Sequence, residues 1–409
     1  MNRFLHECMD RIVSDSIRAV QPDAAVRRAL EGKAFPGRVV LVAAGKAAWR
    51  MAKTAYDVLG SRIEQGVVVT KYGHVAEPIP NCTCFEAGHP VPDENSFIGT
   101  KAALDLTADL TAEDTVVFLL SGGGSALFES PLIPAEELQH ITNQLLACGA
   151  DIVQINTIRK RLSGVKGGRF ALHCAPAQVF SVVLSDILGD PLDMIASGPA
   201  YPDGSTCAQA MEIARKYQLE LSDKTWKLLE QETPKELFNV STRITGSVRQ
   251  LCEAAARSCQ SLGFTPMILS DHLDCEARTA GRELSKAALE QRGKKLALIA
   301  GGETVVKLTG SGKGGRNQEL ALAAAEMLRG KNNICCFSLG SDGTDGPTDA
   351  AGGYVDGDTY DALLEQGIEI DDVLRRNDSY HALKAVDGLI ITGPTGTNVN
   401  DVAVVLIDE

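Results

Sequence analysis

Short runs of β-branched and apolar residues alternate along the chain with segments whose apolar residues recur three and four positions apart. The first pattern is typical of buried strands, and the second is typical of helices that cover them. This alternation predicts parallel sheets with helices on both faces, which is the α/β class. At 409 residues the chain exceeds what one hydrophobic core normally supports. We therefore expect two domains, residues 1–235 and 236–409.

Individual segments fit one pattern or the other. Strands are predicted at residues 39–44, 67–70, 115–120, 179–184, 266–269, 296–300, 304–308, 334–339, 389–392 and 402–407. Helices are predicted at residues 46–59, 96–109, 135–147, 151–162, 246–262, 276–290 and 315–328. Several of these strands run directly into glycine-rich loops, where backbone can approach a ligand closely.

The charge balance excludes several classes of partner. Lys and Arg number 40 against 53 Asp and Glu, which gives a net charge of −13. A surface of that sign repels nucleic acid and anionic lipid. No apolar run approaches the length of a membrane span, and the N-terminus lacks the apolar core of a signal peptide. We expect a cytoplasmic protein that binds small molecules, and a homodimer is possible.

The eleven cysteines are scattered, and their odd number argues against a fully paired disulfide framework. Cys82 and Cys84 point to one face of a strand, but no second pair stands at the spacing of a zinc site. We expect free, mostly buried thiols in a reducing compartment.

Two loops are candidate anion sites. Lys46 stands between a buried strand and the start of a helix, where free N–H groups and the helix dipole favour an anion. A second strand runs into Ser121, Gly122, Gly123, Gly124 and Ser125. Consecutive glycines between serines can form a nest for phosphate or carboxylate oxygens, whereas a tight turn needs only one glycine.

Two carboxylates follow the strand at residues 179–184. Asp186 and Asp190 can hold Mg²⁺ or accept a hydroxyl proton, and Asp186 lies nearer the end of the strand. The alternative is that they cap a helix and form a turn, since Asp favours both positions.

The second half contains a literal G-x-G-x-x-G at Gly310, Gly312 and Gly315, between a predicted strand and a predicted helix. Alone, this motif indicates a dinucleotide site, and it motivates an alternative function as an NAD(P)H-dependent hydroxypyruvate reductase. Lys313 and Arg316 nevertheless add positive charge to the same turn. Lys313 is therefore a candidate phosphate ligand.

An acidic loop, GSDGTDGPTDAAGG, follows the next strand. Its Asp342 is a candidate metal ligand, near Asp345 and Asp349. Cations beside a phosphate path together with acids beside a metal fit phosphoryl transfer better than hydride transfer.

The loop before the last strand offers neutral ligands. Thr397, Asn398 and Asn400 carry donors and acceptors that can recognise the hydroxyls of a small polar substrate. His74 and His89 each follow a strand, but no nucleophile is tied to either, so we expect ordinary loop histidines.

Five cations fall within eleven residues of this acidic chain: Arg159, Lys160, Arg161, Lys166 and Arg169. Two interpretations stay open for them. They form a solvated helix face, or their C-terminal end reaches a ligand cleft.

Together these segments resemble the type II glycerate kinase family, whose C-terminal half is the MOFRL domain. The matching stretches, in order, are AAGKAAWRMA, GHPVPDENS, LLSGGGSALF, INTIRKRLSGVKGGR, LSDILGDPLDMIASGP, GGETVV, GKGGRNQE, GSDGTDGPTDAAG and TGPTGTNVND. They extend from residue 43 to 401. One departure is Val305, where the family often has a second Thr after GGET.

The resemblance implies a larger Rossmann-like α/β/α domain and a smaller α/β domain of the MOFRL type, with the active site in the cleft between them. It implies ATP- and Mg²⁺-dependent conversion of D-glycerate to 2-phosphoglycerate. The family's catalytic lysine falls on Lys46, and its arginine falls on Arg316. Asp186 is a third catalytic candidate because it lies near the end of the predicted strand at residues 179–184. A small-anion sensor without catalysis is an alternative of a different class.

Overall fold

The computed structural model describes residues 2–185, 187, 189–291 and 295–408. The chain divides into two compact units. The N-terminal unit comprises Ala25–Ser185 and Asp190–Thr245; the C-terminal unit comprises Met1–Ala24, Asp186–Gly189 and Gly246–Glu409. The boundary at residue 235 stays a prediction; in this division residues 1–24 belong to the C-terminal unit, because the first helix packs against that unit. Its Asp15 accepts a hydrogen bond from the Ser258 hydroxyl at 2.9 Å.

The N-terminal unit is built on a six-stranded sheet. Its strands are β1 (Val39–Ala44), β2 (Ile63–Lys71), β3 (Cys82–Ala87), β4 (Thr115–Leu120), β5 (Gln178–Leu184) and β6 (Val240–Gly246), in the order β3-β2-β1-β4-β5-β6. Strand β1 is parallel to β2 and β4, as β2 is to β3 and β4 to β5. All residues of β1 and β4 are buried, so layers cover both faces of the sheet. The order is that of Rossmann folds, which confirms the predicted α/β/α class.

Four helices of this unit follow the predicted ones closely: α3 (Ala48–Leu59), α4 (Glu94–Thr107), α6 (Ala135–Ala147) and α7 (Ile152–Arg161). Four others lie outside the predicted ranges: α5 (Gly124–Leu127), α8 (Arg169–Cys174), α9 (Cys207–Lys216) and α10 (Asp223–Leu229). Helix α2 (Pro22–Leu30) crosses the division between the units. Apolar residues of α6, α7, α9 and α10 form a separate small core that includes Leu138, Ile158 and Ile213.

The C-terminal unit contains a second six-stranded sheet, which is mixed rather than parallel. Its strands are β7 (Thr265–Leu273), β8 (Leu296–Gly302), β9 (Ile334–Gly340), β10 (Gly352–Asp356), β11 (Leu389–Ile390) and β12 (Asp401–Ile407), in the order β11-β10-β9-β12-β8-β7. Strand β12 lies antiparallel between β8 and β9, and only β7 pairs with its neighbour in parallel. Its helices are α1 (Arg3–Ala19), α11 (Val248–Ser261), α12 (Ala277–Leu289), α13 (Arg316–Leu328), α14 (Thr359–Glu365), α15 (Ile370–Arg376) and α16 (Ser379–Ala385).

One predicted strand is wrong. Residues 304–308 alternate like a strand, but only Val305 makes an isolated bridge, to Glu276. Both edges of β8 are already occupied by β7 and β12, so no edge of that strand is free to pair with the segment. Val305 and Leu308 are 56% and 79% exposed.

Candidate active site

The strand order of the N-terminal unit places a crevice at a defined point. Strands β2 and β3 follow β1 on one side of it, whereas β4 lies on the other side of β1. The strand order therefore reverses between β1 and β4, which is the topological switch point of the sheet. Ligands of open α/β sheets bind beyond the carboxyl ends of strands at such a point. Lys46 follows β1, and the Ser121–Ser125 loop follows β4. The two predicted anion loops are therefore brought together.

Hydrogen bonds join these loops directly. The Lys46 N–H donates to the Gly122 carbonyl at 2.9 Å, and the Ala47 N–H donates to the Ser121 hydroxyl at 3.1 Å. Gly45 has φ +122, and a Cβ there would overlap that hydroxyl. Only glycine permits this close crossing of the loops.

Donors remain available at this point. Within the described part of the chain, the Lys46 ammonium has no carboxylate partner, and its side chain is exposed. The N–H groups of Gly122 and Gly123 likewise find no acceptor among the described residues. Unbonded amides beside an unpaired lysine form an anion site within an acidic protein.

Two histidines border this anion site. The His74 ring bonds the Lys46 carbonyl through Nδ1 at 2.9 Å. A Cβ on Gly123 would lie 3.1 Å from both His89 Nε2 and Lys46 Cγ. The sequence did contain a signal for His89, because GHP directly follows β3, whose carboxyl end lies at the same edge of the parallel sheet.

The Ser121–Ser125 loop, called the glycine loop below, contacts a strained segment through Ser125. Ala196 and Ser197 both have positive φ, 51° and 61°. The Ser197 hydroxyl bonds the Ser125 hydroxyl at 3.0 Å and donates to the Asn156 side chain at 2.9 Å. Left-handed non-glycine residues cost about 1–3 kcal/mol each and persist where surrounding structure imposes them, often at functional sites.

The cation cluster is mostly buried, which contradicts a solvated helix face, the first of the two interpretations left open for these residues. Arg161 and Lys166 are completely buried, and Lys160 is nearly so. Lys160 pairs with Asp193 and Asp203, and Arg161 with Asp203 and Glu232. Burial lowers the pKa of Lys166 to about 8, although its ion pair with Glu129 at 2.7 Å opposes the shift.

Arg159 differs from these structural cations because it reaches the glycine loop. Its Nη2 donates to the Ser125 carbonyl at 3.0 Å, and the same group lies 3.7 Å from Glu129. Glu129 thus links Lys166 to Arg159. The buried Lys166–Glu129 pair is therefore connected to the glycine loop through Arg159.

Of the two carboxylates predicted after β5, Asp186 lies outside the described residues. Asp190 is half-buried, with a left-handed φ of 51°. It stays a prediction that both residues bind a metal ion and that Asp186 takes part in catalysis.

In the C-terminal unit, Arg316 begins α13 and lies between two carboxylates. Its guanidinium makes two hydrogen bonds to Asp401, at 2.6 and 3.1 Å, and one to Glu303 at 2.8 Å. Burial opposes its charge, but these carboxylates raise the pKa of Arg316 above its ordinary value. Burial raises the pKa of Asp401 to about 6, against the effect of Arg316.

A cavity of about 710 Å³ lies beside Arg316. Asp342 and Arg316 both line it, together with the apolar side chains of Val305, Leu308 and Pro347. The volume suits a small ligand or cofactor. Asp342 is half-buried and accepts one backbone hydrogen bond, from Thr344, which leaves carboxylate oxygen available.

Asp345 lines the same cavity, but its carboxylate is used in hydrogen bonds that stabilise the fold. Its carboxylate accepts from the N–H groups of Asn317 and Gln318 at 3.1 and 2.8 Å. It therefore caps the N-terminus of α13 from another loop and fixes the start of the helix that carries Arg316.

The G-x-G-x-x-G segment lacks the structure of a dinucleotide fingerprint. No strand leads into it, because residues 303–315 are irregular apart from the bridge at Val305. A Cβ on Gly310 or Gly312 would overlap the Arg376 backbone, so these glycines allow close packing. The Lys313 ammonium lies 4.3 Å from the centre of the Tyr380 ring. Lys313 does not line the cavity.

The neutral residues of the C-terminal loop are largely used internally. The buried Thr397 hydroxyl donates to the Val20 carbonyl at 2.8 Å. Asn398 is exposed and accepts from the Asn400 N–H at 3.3 Å, while Asn400 is buried with φ +64. None of the three lines the cavity, and their role in substrate binding stays a prediction.

Metal and membrane features are limited in the described residues. No group of three or more His, Cys, Asp or Glu side chains there is arranged to hold a metal ion. Mg²⁺ bound to a nucleotide needs only one or two protein carboxylates, since phosphates and water supply the rest, so Asp342 fits such a role. Nor does any helix in the described ranges have the length and apolarity to cross a bilayer.

Comparison with known proteins assigns the chain to a family. Residues 8–230 match a domain of unknown function designated DUF4147, and residues 296–401 match the MOFRL family. The D-glycerate 2-kinase of Thermotoga maritima is 53% identical over 97% of both chains. The glycerate 2-kinase of Pyrococcus horikoshii is 41% identical over 97% of this chain and 96% of that relative.

The fold agrees with a solved structure of the same family. The crystal structure of glycerate kinase from Thermotoga maritima superposes with a TM-score of 0.94 at 52% identity, covering 98% of this chain and 99% of that one. The resemblance read from the motifs is confirmed. This chain belongs to the glycerate 2-kinase family and carries that family's MOFRL region at its C-terminus.

Proposed function

We propose that this protein transfers the γ-phosphoryl group of ATP to the 2-hydroxyl of D-glycerate, giving 2-phosphoglycerate and ADP. The names of its full-length relatives support this activity. The observation that carries the proposal is the anion site at the switch point of the N-terminal sheet. There the unpaired Lys46 stands beside the unbonded amides of Gly122 and Gly123.

This anion site suits phosphoryl transfer because the reaction needs positioning and charge stabilisation more than covalent chemistry. Lys46 and the two amides would stabilise charge on the transferring phosphoryl group or hold the substrate carboxylate. Arg316, fixed by Asp401 and Glu303, would supply a second positive charge. That Lys46 and Arg316 act on one substrate stays a prediction.

Mg²⁺ is part of the proposal. Asp342 would hold the ion, because its carboxylate is only partly engaged. When bound, the metal would neutralise charge on the phosphate oxygens of ATP. We also propose a cytoplasmic location, since all eleven cysteines are free, as in reducing compartments.

Phosphorus NMR of the product tests the reaction. Incubation with ATP, Mg²⁺ and D-glycerate should give the signal of 2-phosphoglycerate; a 3-phosphoglycerate signal would keep the kinase and reverse its regiochemistry. Oxidation of NADH by hydroxypyruvate without ATP would instead support the reductase. Thermal stabilisation by glycerate without ADP release would support the sensor.

A variant pair tests the anion site itself. Lys46→Met should lower kcat by about 10²-fold or more, in line with lost electrostatic donors. Lys101→Met is the matched control, because Lys101 is an exposed lysine of the same unit that pairs with Asp105. Near-normal turnover in Lys46→Met would remove the lysine from the mechanism.

A further inference from the structure

His89 borders the anion site but forms none of the hydrogen bonds that hold its loops together. It follows β3, at the carboxyl edge of the sheet. The missing side chain of Gly123 leaves room for it, because a Cβ there would lie 3.0 Å from His89 Cδ2 and 3.1 Å from Nε2. The Nε2 edge of the ring therefore faces the glycine loop, on the same side as Lys46.

The ring nitrogens of His89 are unoccupied, in contrast with those of its neighbour. His74 uses Nδ1 to bond the Lys46 carbonyl. Within the described ranges, neither nitrogen of His89 makes a hydrogen bond or an ion pair. A half-buried imidazole with a free acceptor, next to an unpaired lysine, is arranged to meet a ligand.

The charges around His89 keep the ring neutral. Burial lowers its pKa, and Lys46, Lys71 and His74 lower that pKa further. The charged and titratable groups that act on the ring all disfavour the imidazolium. At neutral pH the ring thus retains a lone pair that can accept a proton.

We propose that His89 is the catalytic base, whose Nε2 accepts the proton of the substrate 2-hydroxyl as its oxygen attacks the γ-phosphorus. This inference rests on the proposed kinase function. A bond forms between the substrate oxygen and phosphorus, and the bond from phosphorus to the β,γ-bridging oxygen breaks. The electron pair of that bond leaves with ADP, and the hydroxyl proton moves to His89.

The base role makes a different prediction from a packing role. His89→Gln keeps the size and a hydrogen-bond acceptor but cannot take up the proton. We expect kcat to fall about 10²- to 10⁴-fold, the usual contribution of a general base. His140→Gln is the matched control, since His140 is an exposed histidine of the same unit whose Nε2 lies 3.4 Å from the Glu220 carboxylate.

The pH profile of the wild-type protein tests the inference without relying on the folding of any variant. kcat/KM for D-glycerate should fall at acid pH along a limb whose pKa lies below the ordinary histidine value of about 6.5. That limb should be absent from the residual activity of His89→Gln, and added imidazole should partly restore turnover in His89→Ala.

Two results would overturn the base role. They are a wild-type profile without an acid limb, and a His89→Gln variant with unchanged kcat, whether or not its KM rises. Each presupposes that the wild-type protein makes 2-phosphoglycerate. If it makes none, the proposed function fails first, and the two failures are thereby distinguished.

Discussion

Arg316 and Asp401 meet side by side, with Nε donating to Oδ2 at 2.6 Å and Nη2 donating to Oδ1 at 3.1 Å. Two parallel bonds fix the plane of a guanidinium, which a single contact does not. Asp401 opens the central strand β12, and Arg316 opens α13, so the pair joins a sheet to a helix start. The geometry depends on arginine specifically.

The first prediction follows from that geometry. Arg316→Lys keeps the charge but loses the parallel bonds to Asp401, so we expect kcat/KM for D-glycerate to fall about 10²-fold. Steady-state kinetics with both substrates varied will measure it. Arg329→Lys is the control, because Arg329 is a half-exposed arginine of the same unit paired with Asp361. A functional Arg316→Lys enzyme would show that charge alone suffices.

The second prediction concerns space in the glycine loop. In Gly123→Ala the new methyl group would lie 3.1 Å from Lys46 Cγ and His89 Nε2, at a φ of +85. We expect about 1–2 kcal/mol of lost stability from the backbone conformation and at least a tenfold loss of activity from displacement of these side chains.

Gly149→Ala separates these two effects. Gly149 has φ +74, but no atom lies within 4 Å of its would-be Cβ. It should lose similar stability, measured as the shift in Tm, and keep full activity. Equal activity losses in both variants would mean that backbone strain, not contact with Lys46 and His89, limits the reaction.

The strands that position the N-terminal site could be predicted from the sequence because they are buried on both faces. The runs at Val39–Ala44 and Thr115–Leu120 are predicted with their observed bounds. The sequence does not predict strands β3, β6 and β10: β3 and β6 are only partly buried, and β10 begins with Gly352 and Gly353. Composition alone does not separate such segments from loops.

The candidate site likewise has parts that the sequence predicts and parts that it does not. Lys46 and the Ser121–Ser125 loop follow predictable strands, so their proximity could be inferred from sheet topology. The buried partners could not be inferred, because Lys166 meets Glu129, which lies far away in the sequence. Nothing in the spacing of the cations indicated which of them would be buried against carboxylates.

The third prediction tests Asp342 as a Mg²⁺ ligand. Asp342→Asn should raise the Mg²⁺ concentration needed for half-maximal activity by at least about 10-fold, the lower range of losses for groups around a metal. Asp349→Asn provides the comparison, since this acid of the same loop is exposed and bonded to the Tyr380 hydroxyl. An unchanged Mg²⁺ requirement in Asp342→Asn would assign the metal to other groups.

The fourth prediction is a double-mutant cycle on the buried pair behind the glycine loop. Lys166→Met leaves Glu129 charged and without its 2.7 Å partner, so we expect a loss of about 3–5 kcal/mol in the free energy of unfolding. Glu129→Gln combined with Lys166→Met removes both charges and should recover most of it. Urea denaturation measures each corner of the cycle, and additive losses would show that the two residues do not interact.

The same pair predicts how stability varies with pH. The pKa of Lys166 is about 8 in the folded protein, against 10.5 for an ordinary lysine, because burial disfavours the charge. Between these values the unfolded chain holds the proton that the folded protein has released, so stability rises with pH. Below pH 8 both states are protonated, and the contribution of Lys166 stays constant. From pH 7 to 9.5 the wild-type protein should gain about 2 kcal/mol relative to the Glu129→Gln, Lys166→Met variant. Urea unfolding of both proteins at the two pH values measures this difference, and parallel behaviour would mean that Lys166 titrates like an exposed lysine.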